Sequence, residues 1–151
     1  MLSTTSEYAL RALTVMAALP QGASILGRDL ARHTGVPGRY LAKLLTTLHN
    51  AGIVGTARGS NGGYWLARSP ESIRIQEIVA LFDVTAMRRS CLLWPGRTCS
   101  EDHPCSAHSA WRAVRDAYAQ FLENVTLADI SDGQDASGQK CQMPGIQASG
   151  A

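Results

Sequence analysis

Apolar residues recur at helical spacing along the first twenty positions. Ala9, Ala12, Leu13, Met16 and Leu19 predict a helix from Thr4 to Leu19. Thr4 and Glu7 have the spacing of a capping box, with Thr4 as N-cap and Glu7 reaching back to it, and Pro20 and Gly22 end the helix. Leu26, Leu30 and Ala31 predict a short helix to Thr34, and Gly35 marks a turn. Pro37 sits where a first helical turn accepts proline and opens a helix that runs to Asn50 and stops at Gly52. Its buried stripe is Leu41, Leu44, Leu45 and Leu48, and the opposite stripe is Arg39, Lys43, Thr46 and Asn50.

The period then changes. Ile53 to Ala57 and Gly63 to Ala67 read as two short strands joined by the glycine-rich hairpin tip Arg58-Gly59-Ser60-Asn61-Gly62. Ile75, Ile78, Val79 and Phe82 predict a helix over 75–82. From Asp83 to Cys105 no periodicity is visible, and a loop of that length inside a compact protein is usually functional or disordered. A long amphipathic helix follows from Ser106 to Leu127, with Trp111, Val114, Tyr118, Phe121, Leu122 and Val125 along one face. From Ser131 onward Gly, Ser and Gln dominate and predict a disordered tail.

The fold class that follows is mainly α with a small two-stranded β-wing. A winged helix-turn-helix domain is expected over 1–83, a cysteine loop over 84–105, a long helix over 106–130 and the tail over 131–151. A chain of 151 residues is long enough for one such core and too short for two large ones.

Charge adds a direction to this picture. Net charge is only +2, but residues 1–90 hold ten basic against five acidic side chains, and residues 91–151 hold four against seven. A basic front with an acidic back fits a nucleic-acid-binding part joined to a different module. In a helix-turn-helix the second helix enters the major groove, which here is the helix 37–50. Arg39 and Lys43 can reach phosphates or guanine edges, and Thr46 can bond a base or the backbone. Arg28 adds a cation at the start of the preceding helix. At the hairpin tip Gly59 lets the backbone approach a phosphate closely, and Arg58 suits a narrow, electronegative minor groove. The tip lacks the Lys-Ser/Thr ending of a phosphate-binding loop, so a nucleotide site is excluded. No Ser-His-Asp or paired-carboxylate arrangement stands out, and an enzyme is not expected.

The first twenty residues carry Glu7 and Arg11 and lack the form of a secretory signal, and no apolar run reaches membrane-spanning length, so a cytoplasmic protein with no membrane partner is expected. Four cysteines in a reducing compartment point to metal or redox chemistry rather than disulfides. Cys91, Cys99 and Cys105 lie in the aperiodic loop, with His108 three residues beyond the last, where Cys105 and His108 would share a helix face. Thiolates are soft ligands for iron–sulfur clusters, zinc or copper(I), and a helix N-terminus favours a negative centre beside it. The spacings are not the tight Cys-x2-Cys knuckles of zinc ribbons. Cys141 stands in the expected tail with no partner nearby in sequence.

With these residues in view, the chain resembles the IscR/NsrR/RirA family of bacterial winged-helix regulators. The carrying stretches are Ser6-Glu7-Tyr8-Ala9-Leu10-Arg11, the wing from Val54 to Tyr64, the three cysteines, and Thr126-Leu127-Ala128-Asp129-Ile130. The resemblance implies a homodimer paired through the long helix, and one iron–sulfur cluster per subunit (2Fe-2S or 4Fe-4S) held by Cys91, Cys99 and Cys105. It implies that the cluster's state, answering to iron, redox or nitric oxide, controls repressor binding to a palindromic double-stranded DNA operator. Arg58 matches the family's minor-groove arginine, and Arg39 and Lys43 fall on its recognition-helix surface. His108 matches the IscR-like fourth ligand, and Glu7 of the other subunit matches an acidic ligand of some NsrR-like members. Glu7 already has a role in the capping box, so His108 is preferred. The seven-residue gap between the first two cysteines is longer than in IscR and like that of RirA, and Arg39 and Ala42 stand where IscR has polar base-reading side chains, so signal and operator do not carry over. A zinc or thiol-redox site on the same winged helix, or a small iron–sulfur electron carrier, are the alternatives.

Overall fold

The computed structural model describes residues 2–59, 62–83, 91–94 and 96–131. The expected tail beyond Ser131, Cys141 within it, and the first part of the expected loop (84–90) lie outside the described residues. The chain forms α1 (Thr4–Ala17), α2 (Gly27–Thr34), α3 (Gly38–Asn50), β1 (Val54–Ala57), β2 (Gly63–Leu66), a 3-10 turn (Pro70–Ser72), α4 (Ile75–Phe82), α5 (His108–Asn124) and α6 (Leu127–Ser131). The fold is thus mainly helical with one two-stranded antiparallel sheet, a winged helix. No helix among the described residues is long and apolar enough to cross a membrane.

The core follows the leucine and isoleucine spacing. Leu13 of α1, Leu30 of α2 and Leu41, Leu45 and Leu48 of α3 are out of water, joined by Ile75 and Ile78 of α4. Burial of such side chains is worth roughly 1.5–3 kcal/mol each, which is what holds short helices together. Gly35 takes the left-handed conformation (φ +68°) that ends α2, and α3 starts three residues later. That conformation strains any residue with a Cβ, so glycine makes the tight turn possible.

The wing pairs Val54 with Leu66 and Ala57 with Gly63. Beyond the two predicted strands, Ile25 bridges to Tyr64 through two backbone hydrogen bonds of 2.9 Å, which fastens the start of the helix-turn-helix to the wing. Gly63 permits this approach, because a Cβ there would stand 2.8 Å from the Ile25 carbonyl oxygen.

Three expectations need correction. The N-cap of α1 is Ser3, not Thr4: its Oγ accepts from the Ser6 N–H at 3.2 Å. Glu7 does not close a box. Asp83, at the end of α4, takes that place, accepting from the Ser3 N–H and the Ser6 hydroxyl at 2.8 Å each. The long helix is not one piece to Leu127. It ends at Asn124, Val125 is extended, and Asp129 accepts from the Thr126 N–H at 2.8 Å to open α6. Residues 73–75 and 125–127 bridge there, with Ile75 donating to the Val125 carbonyl and Leu127 to the Ile73 carbonyl. Finally, the apolar side chains of α5 do not share one face. Leu122 is buried and Tyr118 and Val125 are half-buried against the body, whereas Val114 and Phe121 are 52% and 43% exposed.

Candidate metal centre and nucleic-acid interface

The described part of the cysteine segment, 91–94 and 96–107, has no helix or strand. Its backbone is held by turns: Cys91 donates to the Arg97 carbonyl at 2.9 Å, and His108 to the Cys105 carbonyl at 2.9 Å. These turns gather Cys91, Cys99, Cys105 and His108 around one cavity of about 480 Å³, with Trp94, Arg97 and His103 also on its wall. Within it the four stand as two pairs. Cys91 Sγ is 4.0 Å from Cys105 Sγ, and Cys99 Sγ is 3.1 Å from His108 Nδ1. The partner of His108 is therefore Cys99, and Cys105 precedes α5 rather than sharing a face of it.

His108 is buried, 8% exposed, at the first residue of α5. Its Nε2 is buried without a hydrogen bond, 3.3 Å from Glu101 Oε2 but out of line with it. The Cys91 thiol is held below the ordinary thiol range, chiefly by the backbone N–H groups of Trp94 and then Leu93, with Cys105 and the Arg97 guanidinium adding to them. Such a thiol loses its proton to solvent readily, and the thiolate that remains is the form that binds a metal or reacts with an oxidant.

The donor set suits a soft, thiophilic group: three accessible thiols, a buried imidazole with an unpartnered nitrogen, and a helix N-terminus whose dipole favours negative charge. Among the described residues no three His, Cys, Asp or Glu side chains converge on a single point as a mononuclear ion requires. The pairs line a cavity instead.

Glu7 is exposed on the first turn of α1 and, freed of the capping role, has no partner among the described residues. The reason for setting it aside is thereby lost, and the preference for His108 stands on the Cys99 contact instead. Glu101 and Arg112 were missed by the sequence reading: Glu101 faces His108 on one side and accepts from Arg112 at 2.7 Å on the other.

The basic residues are on other elements, α3 and the wing. Arg39, Lys43 and Thr46 are exposed on α3, away from its leucine stripe, and Arg58 and Gly59 are exposed at the end of β1. Arg39, Lys43 and Arg58 make no ion pair among the described residues, so their charge is available to a polyanion. The Thr46 hydroxyl donates to the Ala42 carbonyl at 2.9 Å and keeps its lone pairs outward. Arg28, at the N-terminus of α2, lies 3.8 Å from Asp29 and is largely in water.

Tyr40, also missed, ties this face to α1. It packs edge-on against Tyr8 with ring centroids 5.7 Å apart and shares a hydrogen bond with Thr5, between Arg39 and Lys43 in sequence. Its signal was present but ambiguous, since a tyrosine on a helix that also carries a leucine stripe reads as either core or surface.

Two exposed cationic elements, a helix and a wing, on a compact helical body define the winged-helix class of DNA-binding regulator. The profile of the Rrf2 family, iron-dependent transcriptional regulators, matches residues 2–133, and the chain belongs to that family. It is 33% identical over 130 residues to a protein of Aquifex aeolicus assigned as a helix-turn-helix transcriptional regulator, covering 85% of this chain and 89% of the other. It is 28% identical over 152 residues to the transcriptional regulator IscR of Salmonella paratyphi B, covering 99% and 92%. Among solved structures, CymR, the global cysteine regulator of B. subtilis, superposes with a TM-score of 0.74 at 26% identity, covering 89% of this chain and 98% of that one. IscR of T. potens has the same fold, with a TM-score of 0.68 at 24% identity and coverage of 92% and 91%.

Proposed function

We propose that this transcriptional regulator is a cytoplasmic homodimeric repressor that holds an iron–sulfur cluster at Cys91, Cys99, Cys105 and His108 and binds a palindromic operator through α3 and the wing. The observation that carries the reading is the single cavity lined by three thiols and the buried imidazole. When bound, such a cluster supplies an iron- and redox-responsive centre that adds ligand bonds to a segment otherwise held by a few turns.

The chain's own residues supply the rest. The cysteine segment leads into α5, on which Ala110, Val114, Ala117 and Phe121 form an exposed small and apolar stripe at spacings of four, three and four. That stripe suits pairing with the same helix of a second copy, which would set the distance between two copies of α3. Asp83 binds the end of α4 to the first turn of α1, and Thr5 and Tyr8 on that helix contact Tyr40 of α3. The end of α4, which precedes the cysteine segment in sequence, and the DNA-reading helix therefore both contact the first turns of α1, a route by which a two-state change would pass. Arg39, Lys43, Thr46, Arg58 with Gly59, and Arg28 make the DNA contacts.

A second reading has one observation behind it. Cys91 and Cys105 stand 4.0 Å apart, and a thiol switch needs only a modest approach to the roughly 2.05 Å of a disulfide. CymR of Staphylococcus aureus, of the same fold, has been solved in an oxidised form.

The deciding experiment is native mass spectrometry with visible spectroscopy on protein purified without oxygen. The expected result is a brown dimer carrying iron and inorganic sulfide, with both lost in Cys99→Ala and Cys105→Ala. His108→Ala should alter the spectrum, and Glu7→Ala should leave it unchanged. A colourless dimer that only loses two hydrogens per subunit on oxidation would favour the thiol switch, and one that carries zinc would overturn both.

A further inference from the structure

We infer that Glu101, anchored by Arg112, is a positioning residue that fixes the tautomer of His108 and so presents Nδ1 to the cysteines. The inference rests on the reading of His108 as a ligand and names the groups that prepare it.

A neutral imidazole has one N–H donor and one lone-pair acceptor, and its neighbours decide which nitrogen is which. Here the neighbours differ in kind. Nε2 lies 3.3 Å from a carboxylate oxygen of Glu101, an acceptor that repels a lone pair. Nδ1 lies 3.1 Å from Cys99 Sγ, whose thiol can donate. The carboxylate favours the proton on Nε2, and the Cys99 thiol can then donate to the bare Nδ1. The Nδ1 lone pair then points at Cys99, inside the cavity the thiols line. A carboxylate behind a ligating imidazole also raises the basicity of the nitrogen in front.

Glu101 is 63% exposed and would wander if left alone. Its other oxygen accepts from the Arg112 guanidinium at 2.7 Å, and Arg112 Nε stands 3.6 Å from Asp116 one turn along α5. Arg112 is four residues after His108 on the same helix, so the carboxylate is clamped to the helix that carries the ring. A turn of the exposed Glu101 carboxylate brings it in line with Nε2 and satisfies a nitrogen that is otherwise buried without a partner.

The test is nitrogen NMR of the cluster-free, reduced full-length chain labelled with 15N-histidine, near pH 8, where imidazoles are neutral. The His108 signals are those missing from His108→Ala. The expected wild-type pattern is the Nε2–H tautomer. Glu101→Ala and Arg112→Ala should show mixed tautomers, and Glu101→Gln, whose amide oxygen still accepts, should keep most of the wild-type pattern. An Nδ1–H tautomer, a doubly protonated ring or averaged signals in the wild type would overturn the inference, as would a Glu101→Ala spectrum identical to wild type. In the loaded protein, Glu101→Ala should release iron to a chelator about tenfold faster, the lower end of supporting-shell effects. The parent reading fails separately: it falls if His108→Ala leaves the iron content and visible spectrum unchanged, whatever the tautomer.

Discussion

Between Thr4 and Phe82 each helix is fixed by aliphatic side chains that are out of water, whereas in the described part of 91–107 no aliphatic side chain is buried. Leu92, Leu93 and Trp94 are each about half exposed (53%, 49% and 59%), and among the described residues the segment is held by backbone turns, two thiol contacts and the Glu101–Arg112 ion pair. The body carries its own stability and keeps its core packed whatever binds. The cysteine segment has little buried apolar packing of its own, so a group bound in the cavity would supply much of what orders it. The sensing role proposed above needs that division, because a site with its own packed core would hold the same shape loaded or empty.

The widest gap between the two regions should appear on removing a leucine from each. Leu48 is fully buried on α3, and Leu48→Ala should cost about 2–5 kcal/mol of folding stability. Leu93→Ala, in the cysteine segment, should stay within about 0.5 kcal/mol. Urea unfolding of both variants measures this. A cost for Leu93→Ala near that of Leu48→Ala would mean that the segment has a buried partner, and the comparison would fail.

The same division explains what the sequence disclosed. Helices with a leucine stripe, the wing and the α4 boundaries follow from periodicity, because burial drives them. Elements settled by one polar side chain did not. Ser3 and Thr4 are both good caps, and the choice was made by Asp83, eighty residues away. The break after Asn124 had a local signal, the Thr126-x-x-Asp129 box, but it was masked by the apolar spacing through Leu122 and Val125. The Ile25–Tyr64 bridge is one residue pair and leaves no period to read. In the candidate site, spacing disclosed the donors as a chemical set. It could not show that His108 sides with Cys99 or that Glu101 stands behind it, since contacts between turns are not written at any fixed interval.

A smaller effect separates reading from sensing. Arg39→Ala and Arg58→Ala should each weaken binding to a duplex selected by the purified protein from a random pool by about 1–3 kcal/mol, while iron and sulfide content stay at wild-type levels. If Arg58 meets phosphate rather than base edges, its loss should lower the slope of log affinity against log salt by about one. Fluorescence anisotropy across a salt series gives both quantities. Unchanged affinity in both variants would remove α3 and the wing as the DNA-contacting surface.

The smallest effect lies where the two regions join. Asp83 ends α4 just before the cysteine segment, yet its carboxylate caps α1, accepting from the Ser3 N–H and the Ser6 hydroxyl. Burial pushes its pKa up, but the hydrogen bonds from Ser3 and Ser6 outweigh this and hold the carboxyl below its ordinary value. A carboxyl depressed on folding adds stability above its unfolded pKa, near 3.9, and that stability is lost as pH falls through the folded value. Asp83→Asn turns two charge-assisted bonds into neutral ones and should cost about 1 kcal/mol at neutral pH. The gap to wild type should then close on acidification below about pH 4, because the protonated wild-type carboxyl no longer differs in charge from the amide. Urea midpoints from neutral to acid pH follow this directly. Because Ser3 and Ser6 share the first turns of α1 with Thr5 and Tyr8, the same variant should also loosen the tie between Tyr40 and α1. A gap that stays constant with pH would show that the charge of Asp83 does not hold the cap, and the tie between the end of α4 and α1 would then rest on the neutral hydrogen bonds and packing alone.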